Sequence, residues 1–273
     1  MQKSWYAVAV ALTLLLLATS PLVAQPTTAT FNLTGVGSGA SLAGVFTSPY
    51  TGTINGSSSP IPVICDDFAD DSFVPEQWTA YVTSLSTLTS STDTYLKWGT
   101  TGPVTGSDTV NSWSLTQTQA YDAAAVLAIG IISSTGDVTL QQEYSFALWE
   151  LFDSNSTTGS FAQLNAYGDQ AYETGATGGA GTPGAQALLA GAISQATGNP
   201  QNLANYLSNY NITIYSYDPA NGTSCGGGYC PPPPQEFITV SMTEPPSPAL
   251  LGLDLLGVAG LLLVVRRRTA KAW

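Results

Sequence analysis

Between residues 29 and 85, apolar and polar positions alternate in short runs that Gly, Pro and Ser interrupt, as in TATFNLTGVGSGASLAGVF and SSPIPVICDDF. A period of two puts successive side chains on opposite faces of a strand, so this third of the chain predicts several antiparallel strands. Asn55-Gly56 is the residue pair that a tight hairpin turn favours. EQWTAYVTSL continues the alternation, with Trp78, Tyr81 and Leu85 directed to a core.

After residue 112 the period lengthens to that of helices, predicted over 114–209. Ser114 followed by Gln117 has the form of a capping box before LTQTQAYDAAAVLAIGII; Thr139 with Gln142 and Ser160 with Gln163 repeat it. Asn199 is placed to cap PQNLANYLSNY, with Pro200 at a first helical position. Leu140, Tyr144, Ala147, Leu148 and Leu151 recur at helical spacing, which predicts an amphipathic helix. Strand alternation returns over 211–242, in NITIYSY and EFITVSM, and the Gly- and Pro-rich DPANGTSCGGGYCPPPP between them predicts a projecting loop. No repeat of solenoid period is visible. The expected fold class is α+β: an antiparallel β-sheet or sandwich with an inserted or packed helical middle.

The two ends follow a different pattern. Residues 1–24 combine Lys3, an apolar run from Trp5 to Ala18, and Ser20-Pro21 followed by small residues, the composition of a secretory signal peptide cut after Ala24. Residues 248–265 form a second apolar run, long enough to cross a bilayer as a helix, and Arg266, Arg267 and Arg268 would hold its end in the cytoplasm. Asp254 interrupts that run at a cost of about 2.5–3.5 kcal/mol for a charge at the membrane centre. The expected organisation is a signal segment (1–24), a body (25–242) and a C-terminal segment (243–273).

With 273 residues, 44% of them hydrophobic, the chain can bury a substantial core. Only 9% of residues are charged, and between 25 and 244 Lys97 is the single cation against seventeen of the eighteen acids. Such a body repels phosphate backbones and anionic lipid, which excludes nucleic acid as a partner. The chain has no histidine, so the usual catalytic triads and imidazole bases are absent, and no phosphate loop or dinucleotide fingerprint occurs. Glu150 and Asp153 are spaced to share a helix face as a carboxylate pair would. No cofactor is expected, and an enzyme is not the reading favoured; a carbohydrate-active enzyme is the residual alternative.

The C-terminal arrangement of Thr243-Glu244-Pro245, an apolar stretch and Arg266 to Arg268 resembles the PEP-CTERM sorting signal of bacterial exported proteins, with Thr243 in place of the pattern's first proline. The resemblance covers about the last 30 residues. It implies Sec-type export, recognition by an exosortase-type transpeptidase, transient anchoring in the inner membrane, and delivery to the cell surface or an exopolysaccharide-rich matrix. The 13 tyrosines and six tryptophans offer stacking platforms for sugars.

Cys225 and Cys230 flank a flexible Gly-rich loop and are candidates for a disulfide in an oxidising compartment; a metal site is the weaker alternative without histidines. Cys65 is left over. ICDDFADD around it, together with QQEYSFALWELFD, resembles the two halves of bacterial surface thioester domains, in which a cysteine bonds to a glutamine carbonyl of a Gln-x-Ala-aliphatic-Trp motif. Cys65, Ala147, Leu148 and Trp149 match, but Ser145 stands in the glutamine position, and Gln141 and Gln142 lie one turn earlier. The resemblance implies a scaffold with a thioester remnant, or, as the alternative function, a covalent adhesin acting through Cys65. The body is also similar in pattern to PEP-CTERM exported proteins that carry such a CDDF and ALWELFD pair. Asp66, Asp67, Asp70 and Asp71 are a candidate calcium cluster, although their spacing is not that of an EF-hand loop.

Overall fold

A computed structural model describes residues 26–36, 41–70, 72–88, 93–108, 111–155, 157–175, 183–220, 223–225 and 234–243. Strands β1 (Thr28–Gly35), β2 (Ser41–Leu42), β3 (Val45–Phe46), β4 (Tyr50–Ile54), β5 (Ile61–Cys65) and β6 (Glu76–Ser84) come first, followed by the hairpin β7 (Val104–Ser107) and β8 (Ser112–Leu115). Helices α1 (Gln117–Ser133), α2 (Val138–Phe152), α3 (Ser160–Tyr167), α4 (Gln170–Thr174), α5 (Ala185–Thr197) and α6 (Pro200–Leu207) form the middle. The chain then returns to strand in β9 (Tyr210–Tyr217), β10 (Thr223–Cys225) and β11 (Phe237–Met242). The α+β class and the helical insertion between two sets of strands agree with the sequence.

The sheet is a closed barrel rather than an open sheet or sandwich. Six antiparallel strands run β1-β4-β5-β11-β9-β6, and β6 pairs back onto β1 with Phe31 opposite Trp78. Closure leaves the barrel with no unpaired edge. β10 continues the line of β9 along β6, with Asp218 donating its N–H to the Thr79 carbonyl at 3.0 Å. The β4–β5 hairpin turns at Asn55 and Gly56, whose φ values of 51° and 70° are those the Asn-Gly pair tolerates best.

Register separates the faces. Phe31 stacks on Phe237 at 5.1 Å between centroids and lies 5.3 Å from Tyr215, although β1 is a neighbour of neither β11 nor β9. These rings therefore meet across the barrel, and with Trp78 and Tyr50 they fill it. On the outer face, Ile64, Ile212, Ile214, Ile238 and Val240 are buried, and α1 packs against β11. Since α1 must contact the barrel, α2 and α5 together, it is apolar nearly all round and rich in alanine. The α1–α2 approach is tight at Gly130, where an added Cβ would lie 2.3 Å from the Tyr144 ring.

Several local expectations are corrected. Ser114 belongs to β8, and the capping box of α1 lies two residues later: Thr116 Oγ1 accepts from the Gln119 N–H and Gln119 Oε1 from the Thr116 N–H. Asp137, not Thr139, caps α2, and Ser160 is the first residue of α3 rather than its cap. Asn199 caps α6 as expected. Tyr81 lies on the outer barrel face against Tyr95. Helix α2 is not amphipathic: apart from Tyr144, every residue from Gln141 to Phe152 is buried. The signal segment 1–24 and the membrane helix expected over 248–265 lie outside the described residues; among those described, no helix is long and apolar enough to cross a membrane.

Candidate functional site

The end of β5, the loop before β4 and the middle of α2 meet in one hydrogen-bonded joint. The Cys65 N–H donates to Ser48 Oγ (3.1 Å), the Ser48 N–H to Ser145 Oγ (3.2 Å), and the Ser145 hydroxyl to the Gln141 carbonyl (2.8 Å). Trp149 closes the joint from one helical turn further on, its indole N–H donating to the Cys65 carbonyl at 3.0 Å. The two segments that resemble a thioester domain are thus brought together in space. Ser145 holds a backbone amide where that pattern has its glutamine. The Gln141 amide donates to the Ile131 carbonyl (3.1 Å) and the Gln142 amide to the Ser41 carbonyl (3.2 Å), so both are committed to positioning α1 and the β2–β3 hairpin.

The Cys65 thiol is fully buried, contacts the Asp67 carbonyl at 3.0 Å, and accepts from the Asp67 N–H. Burial, reinforced by the neighbouring Asp67 and Asp66 carboxylates, pushes its pKa well above the ordinary thiol value. The thiolate that nucleophilic chemistry requires is disfavoured here.

Beyond Cys65 lies a buried acidic knot. Glu236, immediately before β11, accepts from Tyr121 Oη (2.5 Å), from the Lys97 N–H (3.0 Å) and from Ser216 Oγ. Both oxygens of Asp66 are buried with no donor directed at them among the described residues, and the Glu236 carboxylate stands beside them. Burial, and then the nearby Glu236 carboxylate, drive Asp66 well above the usual carboxylate range, which favours the neutral acid. Asp67 is raised to about 6 by burial, a rise held back by Lys97, whose ammonium bridges Asp67 and Asp70 and lies 4.7 Å from the Trp98 ring centroid. Asp67 and Asp70 therefore converge on the body's one cation, Lys97. Among the described residues no acidic group is arranged to hold a metal, and Asp71 lies outside them.

Other expected positions separate. Glu150 is buried and holds the start of α3, accepting from Ser160 Oγ and the Phe161 N–H at 3.0 Å each, while Asp153 stands at the C-cap of α2. Cys225 ends β10 opposite Glu76, while Cys230 lies outside the described residues, as do Glu244, Pro245, Arg266, Arg267 and Arg268. Thr243 is tied to the body by its N–H to the Asn209 carbonyl at 2.9 Å. Sequence reasoning missed Ser48, Tyr121, Ser216 and Glu236. Each comes alone from a different element, and the only signal was an acid opening the alternation EFITVSM.

Above this joint is a pocket of about 390 Å³ with Phe46, Tyr50, Phe68 and Trp149 among its apolar walls and Asp70, Ser72, Gln163 and Gln235 among its polar ones. Compared with protein-family models, curated proteins and solved structures, the chain matches none.

Proposed function

We propose that the chain is an exported protein, sorted to the cell surface or extracellular matrix through its C-terminal segment by an exosortase-type system, and that its body acts there as a non-catalytic adhesion or exopolysaccharide-associated protein. One observation carries the reading: the barrel closes on residues from Thr28 to Met242, inside the expected cut after Ala24 and the motif beginning at Thr243. Processing at both points would leave every described element in place. The buried, protonated character of Cys65 and the commitment of Gln141 and Gln142 to backbone carbonyls favour a scaffold over a covalent adhesin.

The test is the intact mass of the protein taken from its native host under non-reducing conditions. The expected species lacks residues 1–24 and ends near 243–245. A mass that retains Leu250 to Trp273 would overturn the sorting assignment, and a further deficit of one ammonia would replace the scaffold reading by the thioester one.

A further inference from the structure

The pocket beside the Cys65–Trp149 joint is built rather than incidental. Its rim is the β2–β3 hairpin, and three side chains from elsewhere clamp that hairpin: Gln142 donates to the Ser41 carbonyl at 3.2 Å, Gln163 to the Ala43 carbonyl at 2.9 Å, and Tyr50 Oη to the Phe46 carbonyl at 2.6 Å. Phe46 at the hairpin's end is 48% exposed although its backbone is held, and Val74 on the same pocket is also exposed. A large aromatic ring left in water on an anchored backbone, beside a second exposed apolar side chain, is an unfilled contact surface.

The floor is equally fixed. Gln235 donates to the Asp67 carbonyl at 2.8 Å, its own N–H donates to Ser72 Oγ at 3.2 Å, and Asp70 is oriented by Lys97. Each amide held through one N–H still carries a carbonyl oxygen and a second N–H. The lining thus offers flat apolar faces beside hydroxyl, amide and carboxylate groups whose geometry is set before any ligand arrives.

We propose that this pocket binds a neutral pyranose unit of a polysaccharide. The inference rests on the surface-matrix reading above and names its contact site. A sugar ring presents an apolar C–H face, suited to Phe46, and equatorial hydroxyls that both donate and accept, suited to Gln163, Gln235, Ser72 and Asp70. An anionic ligand would meet Asp70 in an acidic body whose one ammonium is already engaged by two carboxylates. A purely apolar ligand would bury Asp70, Ser72, Gln163 and Gln235 against groups that cannot hydrogen-bond. At about 390 Å³ the space lies within the roughly 300–1,000 Å³ range of small-molecule pockets.

The experiment uses the full chain recovered from its host, with ligand-observed NMR and calorimetry against glucose, galactose, mannose, N-acetylglucosamine, their β-linked disaccharides, and glucuronic acid as the charged probe. At least one neutral sugar should bind, and Phe46→Ala and Gln163→Ala should each weaken binding tenfold or more. Tyr206→Ala, on α6 and outside this pocket, should leave it unchanged. Phe46 is exposed enough that its loss leaves the barrel core intact, which circular dichroism of the variant checks. No binding by any neutral sugar, preference for glucuronic acid, or indifference to Phe46→Ala would each overturn the proposal. If the intact mass is that of the sorted species while sugars fail to bind, the pocket assignment alone falls; if the mass retains the tail, the surface assignment falls whatever the sugars do.

Discussion

Replacing Lys97 by methionine tests the acidic knot most directly, because it removes the body's only cation while keeping the apolar stem. The Asp67 side chain is fully buried, and the Lys97 and Asp70 side chains are 26% and 21% exposed. Breaking a buried pair by deleting one partner costs roughly 3–5 kcal/mol, since the other charge stays behind. Partial exposure of Lys97 and Asp70 lets water screen some of this, so a loss of about 2–3 kcal/mol at pH 8 is expected, including the contact with Trp98. In a body of this size that lowers Tm by about 4–12 °C.

The pH dependence discriminates this mechanism from simple loss of packing. Asp67 has its pKa raised on folding from 3.8 to about 6, so its contribution is fully present below the unfolded value and is lost as pH rises through the folded one. Without Lys97 the folded value moves further up, so the penalty belongs to the pH range above about 6 and fades toward pH 5, where Asp67 is neutral in parent and variant alike. Urea unfolding at pH 5 and pH 8 measures both limits. The second substitution Asp67→Asn in the Lys97→Met background should restore most of the loss, since an amide oxygen can still accept from the Ala69 and Asp70 N–H groups. An equal penalty at the two pH values, or no rescue by Asp67→Asn, would refute the counter-ion account.

Trp149→Phe removes the donor to the Cys65 carbonyl and should cost about 1–3 kcal/mol in denaturant unfolding, because a buried acceptor loses its partner; a change near zero would mean that the joint is not structural. Gly130→Ala should destabilise by about 1–3 kcal/mol through the clash with Tyr144, and the additional change Tyr144→Ala should relieve the clash itself. Asp122 has its pKa raised by burial to about 6, so Asp122→Asn should stabilise the protein by about 1–2 kcal/mol at pH 8, after allowance for its partial exposure, and should have little effect at pH 4.5. Iodoacetamide should label Cys65 slowly in the native protein and rapidly after urea unfolding without base treatment, as read by mass; resistance of the unfolded chain would instead indicate an acylated sulfur.

What could be read from the sequence divides along the line between local and long-range physics. Alternation located the barrel strands because each has one side chain in two facing the barrel interior, and Asn55-Gly56 marked a real turn. Closure could not be read, because it depends on β6 returning to β1, and local alternation is silent about partners. Helix α5 falls inside the predicted helical span but could not be delimited, for a related reason: AQALLAGAISQAT is small and only weakly patterned, and Leu189 and Ala192 become core through neighbours supplied by α1 and α2. The caps slipped because Ser114 and Thr116 are chemically equivalent, and only the β7–β8 hairpin decides which of them ends a strand.

The site was legible where two segments matched a pattern and opaque where charge had to be balanced across the fold. Asp66 and Asp67 look like a solvated surface pair in one dimension, yet both are fully buried. The clue was compositional: in a body with one lysine, any buried carboxylate must take that lysine, be neutralised by protonation, or be met by neutral donors. The fold uses all three, through Lys97 for Asp67, burial for Asp66, and Tyr121 and Ser216 for Glu236. Because these groups lie where β5 and β11 meet α1 and α2, their first effect is on the coupling of barrel to helices. Phe46 lies at the pocket rim, exposed and outside the buried core. Stability and sugar binding should therefore separate in one direction: Phe46→Ala shifts binding in a protein that unfolds as the parent does, whereas Lys97→Met shifts unfolding and, by releasing Asp70 on the pocket floor, binding as well.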